Sequence, residues 1–187
     1  MILPLNSPES NKILIETLQK DEIAVYPCDT IYGLIGKIGP SEAKIRDIKG
    51  REDDKPFIIL STLELVDFIS RTKIPGNIKS LWPGPLTLIL ESRIGGTVGV
   101  RVPDDKRILS LISELGSPIY STSVNISGSR PLNLIEDIKA QFVDKVPLII
   151  DGGDIVNALP STILDITAKP HKILRSGALT VPDDYLS

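Results

Sequence analysis

The chain has 187 residues, 41% of them hydrophobic and 24% charged, with a formal net charge of −3 at pH 7. That composition suits one globular domain with a real core, and the small negative charge gives the molecule as a whole no pull toward nucleic acid. One cysteine excludes an internal disulfide, and one cysteine with one histidine excludes the usual structural zinc sites, so a reducing, cytoplasmic setting is expected. The opening "MILPLNSPES" lacks the basic start and apolar stretch of a signal peptide. No apolar run nears the roughly 18 residues that a membrane span needs.

In chain order, Ser7 followed by Pro8 reads as a helix N-cap and first turn, with Leu14 and Leu18 on one face and Asp21 closing the segment. "EIAVYP" is a short strand ended by Pro27. "SEAKIRDIKG" reads as a helix capped by Ser41 and stopped by Gly50. "FIIL" then reads as a strand, "LELVDFIS" as a helix, and "LTLIL" and "VGVRV" as strands. "DKRILSLISELG" is an amphipathic helix, with Asp104 and Asp105 at its positive end and Gly116 at its stop. "PIYSTSV" is a strand, "LIEDIKAQF" a helix, and "PLIID", "STILDI" and "KILR" three late strands. Interleaved helices and strands favour an α/β layer fold. Late strands without long crossovers favour a mixed sheet.

Some chemistry is absent from the sequence. "GLIGKIG" has glycines and a lysine in the wrong register for a phosphate-binding P-loop, and no G-x-G-x-x-G opens a helix. Other stretches are informative. "IKGREDDKPF" gathers Lys49, Arg51 and Lys55 at a helix end, where cations either balance the dipole or grip a polyanion. "TVGVRVP" alternates Thr97, Gly99 and Arg101 on one strand face, leaving room beside the arginine for an anion or a salt-bridge partner. "STSVNISGSRP" alternates Ser121, Ser123 and Asn125 at a strand end, where α/β sheets bind ligands. Cys28 sits beside Asp29 and Thr30, but a small, partly buried thiol behaving as a hydrophobe explains it best. Asp29 is expected to bond nearby backbone in the turn.

Taken in this order, "YPCDTIYGL", "IKGREDDKPF", "LWPGPLTLIL", "TVGVRVPD", "STSVNISGSRP", "PSTILD" and "ILRSGAL" resemble the YrdC-like family of threonylcarbamoyl-AMP synthases, from Tyr26 to Leu179. The resemblance implies one YrdC-like domain over 1–187: a twisted mixed α/β sheet with flanking helices around a large concave cavity. It implies synthesis of threonylcarbamoyl-AMP and pyrophosphate from L-threonine, bicarbonate and ATP, for modification of tRNA adenosine 37. Mg²⁺ is expected to arrive with ATP rather than on a protein metal site. The expected partners are these substrates, the downstream threonylcarbamoyl-transfer machinery and, as a further candidate, tRNA or double-stranded RNA. Matched residue by residue, the catalytic set is Lys49, Arg51, Ser123 and Asn125. Thr30, Leu60, Arg101, Ser123 and Ser161 are expected to face threonine. Arg51, Lys55, Thr97, Ser121, Asn125, Asn133 and Arg175 are expected to face ATP. The chain departs from the family at Cys28 and Asn133, where the family usually has threonine, and at Val124, where it often has alanine. The alternatives are a non-catalytic RNA-binding module and a carbamoyl-transfer role of the kind found in hydrogenase maturation.

Overall fold

In the computed structural model, which describes residues 1–50, 56–157 and 159–186, ten strands form one sheet. The strands are β1 (Ile2–Pro4), β2 (Ile23–Pro27), β3 (Tyr32–Lys37), β4 (Ile58–Leu60), β5 (Leu86–Glu91), β6 (Thr97–Arg101), β7 (Ile119–Ser123), β8 (Leu148–Asp151), β9 (Thr162–Asp165) and β10 (Lys172–Arg175). Their order is β1-β8-β2-β3-β7-β4-β6-β5-β9-β10. The sheet is mixed, as expected: β1–β8, β2–β8, β4–β6 and β5–β9 are parallel, and the remaining pairs antiparallel.

The helices are α1 (Ser10–Gln19), α2 (Ser41–Lys49), α3 (Val66–Ile69), α4 (Gly76–Lys79), α5 (Lys106–Leu115) and α6 (Ile135–Phe142). All five residues of β2 are buried because both of its faces are covered, which is why it reads as an unbroken apolar run. Ala24 and Tyr26 pack with Leu14 and Leu18 of α1 and Ile108, Leu111 and Ile112 of α5. Ile23 and Val25 face the other way, toward Ile45 of α2 and Ile138 and Phe142 of α6. Further along that second side, Leu86, Leu88, Leu90, Val98 and Val100 pack with Val66, Ile78 and Trp82. The first side is covered by α1 and α5 over only part of its width. The uncovered part is where the cavity lies.

Local signals were accurate at some helix ends and not at others. Asp105 caps α5 as its charge suggested, its Oδ1 accepting from the amides of Arg107 and Ile108, and Gly116 ends the helix in the left-handed region at φ 62°. The start expected at Ser7 is instead a turn, in which the Ser7 amide donates to the Pro4 carbonyl and its own carbonyl accepts from Ser10. The helix proper begins at Ser10, whose hydroxyl donates to Pro4 O at 2.6 Å and so ties α1 to β1. Ser41 likewise lies inside α2 after Pro40, its hydroxyl bonded back to Lys37 O. "LELVDFIS" keeps only four helical residues: residues 63–65 form a turn, and Ser70 extends to bridge Ser92. The segment "YGLIGK", unassigned in the sequence reading, is the central strand β3.

Tyr32 at the start of β3 is fully buried and fastens the chain leaving β8: its hydroxyl donates to Gly153 O at 2.8 Å and accepts from the Gly152 amide at 2.9 Å. Tyr32→Phe leaves both backbone groups unpaired. It should lower the unfolding free energy by about 1–3 kcal/mol in urea denaturation, with the circular dichroism spectrum unchanged. An unchanged urea midpoint would show that this link carries no stability.

Candidate active site

The sheet exposes its cavity where β3, β7, β4 and β6 run side by side and β9 and β10 rise beyond them. The hollow holds about 420 Å³. Thr30, Leu60, Arg101, Ser121, Ser123, Ser161 and Arg175 all line it, although they come from the β2–β3 turn and five other segments of chain. Period-2 alternation explains the convergence. Gly33 pairs with Ser123 and Ile35 with Ser121, while Ile58 pairs with Ser121 and Leu60 with Arg101, so one sheet face carries them all.

Arg101 is the most constrained group in the cavity. Its guanidinium donates from one terminal nitrogen to Thr30 Oγ1 at 2.9 Å and from the other to Asp29 Oδ1 at 2.8 Å. The pair's side chains are 6% and 9% exposed, so this is a buried ion pair rather than a surface one. Asp29 was expected to bond local backbone, and backbone bonds from Asp29 itself and Asp104 do reach its carboxylate; it also pairs with Arg101 at the end of β6, which sequence proximity could not reveal. Burial raises the Asp29 pKa above the usual carboxylate value, opposed by the Arg101 charge. Arg101 Nε is buried with no hydrogen-bond partner among the described residues. The guanidinium as a whole lines the hollow, where its charge favours an anionic ligand.

Arg175 supplies the second charge. It donates from Nε and a terminal nitrogen to Ser161 O at 3.1 and 2.8 Å, and from that terminal nitrogen to Ser161 Oγ at 3.1 Å. Although β10 is an exposed strand, partial burial of the guanidinium, followed by the like charge of Arg101, holds its pKa below the ordinary arginine value. Ser161 Oγ also meets the buried hydroxyl of Thr87 at 2.8 Å. Thr87 is a site-supporting residue with no signal of its own within "PLTLIL"; it pairs with Ile163 of β9, the strand that directly follows Ser161 in sequence.

Four expected site residues stand elsewhere. Lys49 is 3% exposed behind the cavity wall, donating from Nζ to Ser123 O at 2.7 Å, Asn125 O at 3.1 Å and Asn125 Oδ1 at 2.8 Å. Asn125 accepts at the same Oδ1 from Ser123 Oγ at 2.6 Å, while its amide donates to Ile126 O and Ser129 O. Lys49 and Asn125 therefore hold the turn after β7 and set the rotamer of Ser123. Asn133 spends its Oδ1 on the Tyr32 amide at 3.0 Å, outside the cavity wall. Thr97 shares the face of Arg101, but at the far, exposed end of β6, so it does not line the hollow. Arg51 and Lys55 lie outside the described residues.

The family model described as Sua5_yciO_yrdC, Telomere recombination, matches residues 16–177. The chain belongs to this family. Among its relatives, the threonylcarbamoyl-AMP synthase of Pyrococcus abyssi is 33% identical over 182 residues, covering 89% of this chain and 53% of that protein. The enzyme of the same name from Vibrio parahaemolyticus is 28% identical over 181 residues, covering 88% of this chain and 97% of that protein. The crystal structure of P. abyssi Sua5 complexed with L-threonine matches with a TM-score of 0.86 at 30% identity, over 96% of this chain and 58% of that one. This Sua5/YciO/YrdC chain thus spans about half the length of the P. abyssi relative.

Cys28 lines the same hollow, 7% exposed, with its thiol turned to the Tyr26 carbonyl at 3.7 Å. Gly33 makes room for it: a Cβ there would meet Ser121 Oγ at 2.9 Å and Cys28 Sγ at 3.1 Å. Burial pushes the thiol pKa up to about 12, against a weaker lowering by Arg101. A raised thiol pKa means the protonated, unreactive form at neutral pH. Iodoacetamide at pH 8 should therefore alkylate folded Cys28 about a thousandfold or more slowly than the urea-unfolded chain, followed by intact mass. Rates within tenfold of each other would contradict a buried, protonated thiol.

Proposed function

We propose that this chain is an L-threonylcarbamoyladenylate synthase, joining L-threonine, bicarbonate and ATP with loss of pyrophosphate. One observation carries the reading: Arg101 and Arg175 line a single hollow together with the hydroxyls of Thr30, Ser121, Ser123 and Ser161. Two guanidinium groups crowded together call for anionic ligands, and threonine, bicarbonate and ATP are all anionic or carry a carboxylate. Relatives named threonylcarbamoyl-AMP synthase, and the threonine complex of P. abyssi Sua5, support the same assignment.

In this reading the charges of Arg101 and Arg175 draw the threonine carboxylate into the hollow. Thr30, already fixed by Arg101, and Ser161, fixed by Thr87 and Arg175, present polar atoms to the amino acid. Ser121, Ser123 and Arg175 face the nucleotide, with Arg51 and Lys55 as further expected cations. Asn125 and Lys49 act one step back, by orienting Ser123. The threonine amine takes up bicarbonate as a carbamate with loss of water. A carbamate oxygen then attacks the α-phosphorus, and the bond to the pyrophosphate oxygen breaks. The nucleophile belongs to the substrate, so the protein supplies position and charge, and Cys28 has no covalent task.

Among the described residues no three carboxylate, imidazole or thiol side chains are grouped to hold a metal ion, so no step is assigned to a protein-bound one. Mg²⁺ belongs with ATP as part of the substrate. No helix among the described residues is long and apolar enough to cross a membrane. The product is an activated acyl phosphate, which a transfer machinery acting on tRNA in the cytoplasm would consume.

The test is pyrophosphate release in the presence of ATP, bicarbonate and one amino acid at a time. Threonine should exceed valine, its near-isostere without the hydroxyl, by about a hundredfold or more, because polar groups built to bond that hydroxyl are left unpaired by valine. Equal rates with the two amino acids would overturn the proposal.

A further inference from the structure

A second hollow of about 310 Å³ lies between the starts of α1 and α5 and shares no lining residue with the cavity above. Leu5, Leu14 and Ile150 form its apolar wall, and Ser7, Tyr26, Lys106 and Ser110 bring polar groups to it. Tyr26 is only 4% exposed, its ring packed in the cluster of Leu14, Ile108 and Leu111. Its hydroxyl feels the charges of Asp105 and Arg107 at the start of α5 and has no hydrogen-bond partner among the described residues. The ring is buried while the residue lines the hollow, so its hydroxyl is an unpartnered donor available there. Burial, followed by the charge of Asp105, raises its pKa, so the group is a donor at neutral pH.

The surroundings favour an acceptor-rich ligand. The first turn of α1 has neither a side-chain cap nor an acidic residue, and it presents Ser10 and Asn11 to the hollow. Lys106 and Arg107 add positive charge, Arg107 being tied by one terminal nitrogen to Asn6 Oδ1 at 3.0 Å. The carboxylates nearby are directed elsewhere: Asp105 Oδ1 accepts from two α5 amides, Glu114 accepts from the Asn11 amide group, and Glu9, the N-cap residue of α1, makes no side-chain cap bond and is exposed to solvent. We propose that this hollow is a second ligand site, for a tetrahedral oxyanion of the phosphate class held by the Tyr26 hydroxyl, Lys106 and the open end of α1. A planar carboxylate would leave several of these donors idle, whereas three or four phosphate oxygens can use them. The inference does not depend on the activity proposed above, since it concerns binding at a separate place.

The experiment is a titration of the ¹⁵N-labelled protein with inorganic phosphate and, separately, phenyl phosphate, read from amide shifts and without turnover. An Arg175→Ala background weakens phosphate capture in the main cavity. Saturable shifts at Asn11, Arg107 and Ser110 should persist in that background. Tyr26→Phe and Lys106→Ala should each raise the dissociation constant about tenfold. Both substitutions keep the packing, since Phe preserves the ring and Lys106 is exposed. Tighter binding of phenyl phosphate would identify a phosphoester as the ligand, and tighter binding of inorganic phosphate the free ion; either order supports the site. Shifts that do not saturate, or a constant unchanged in both variants, would overturn it.

Discussion

The buried pair of Asp29 and Arg101 is the constraint around which the site is arranged. A guanidinium this deeply buried is tolerable only with a carboxylate beside it and hydrogen bonds to most of its donors. Those partners come from the turn between β2 and β3, while the arginine ends β6, three strands beyond β3 in the sheet. The order β3-β7-β4-β6 brings the two together across the concave face, and the strands between them contribute Ser121, Ser123 and Leu60 to the floor. Two of the guanidinium's three nitrogens are used on protein. The third is enclosed, and the guanidinium meets the hollow as part of its lining.

Arg175 gives the cavity its second cation from the opposite wall, and the two like charges oppose each other when nothing lies between them. Such an arrangement is stabilised by anions, and it favours a site that orders negatively charged reactants without a covalent step by the protein. Around these charges lies a layer of groups that touch the cavity only through others. Thr87 holds Ser161, and Lys49 with Asn125 holds Ser123. The hydroxyls of Ser161 and Ser123 are thus each set by a buried neighbour, the condition for a site that keeps its geometry before substrate arrives.

Much of this was legible in the sequence where period and local chemistry decide structure. The alternation of Gly99 with Arg101, and of Ser121 with Ser123, placed the right side chains on one face, and Asp105 and Gly116 marked the ends of α5. What escaped depends on contacts distant in sequence. Asp29 reads as a turn residue until β6 is known to pass beside it. Lys49 reads as a free cation at a helix end, but its Nζ meets carbonyls more than seventy residues away. Asn133 looks like a ligand-facing amide, yet the Tyr32 backbone uses its oxygen. Strand β3 was hidden because two glycines, Gly33 and Gly36, interrupt its apolar pattern. They are required by close approach, since a Cβ at Gly36 would collide with the side chain of Ser41.

Titration calorimetry of L-threonine against the native protein and Arg101→Lys tests the central claim most directly. Lysine keeps the charge beside Asp29 but lacks the planar fork that bonds Asp29, Thr30 and an incoming carboxylate at once. The arrangement of Arg101 predicts threonine binding weakened about tenfold or more, with an unchanged circular dichroism spectrum. Affinity within twofold of the native protein would contradict it.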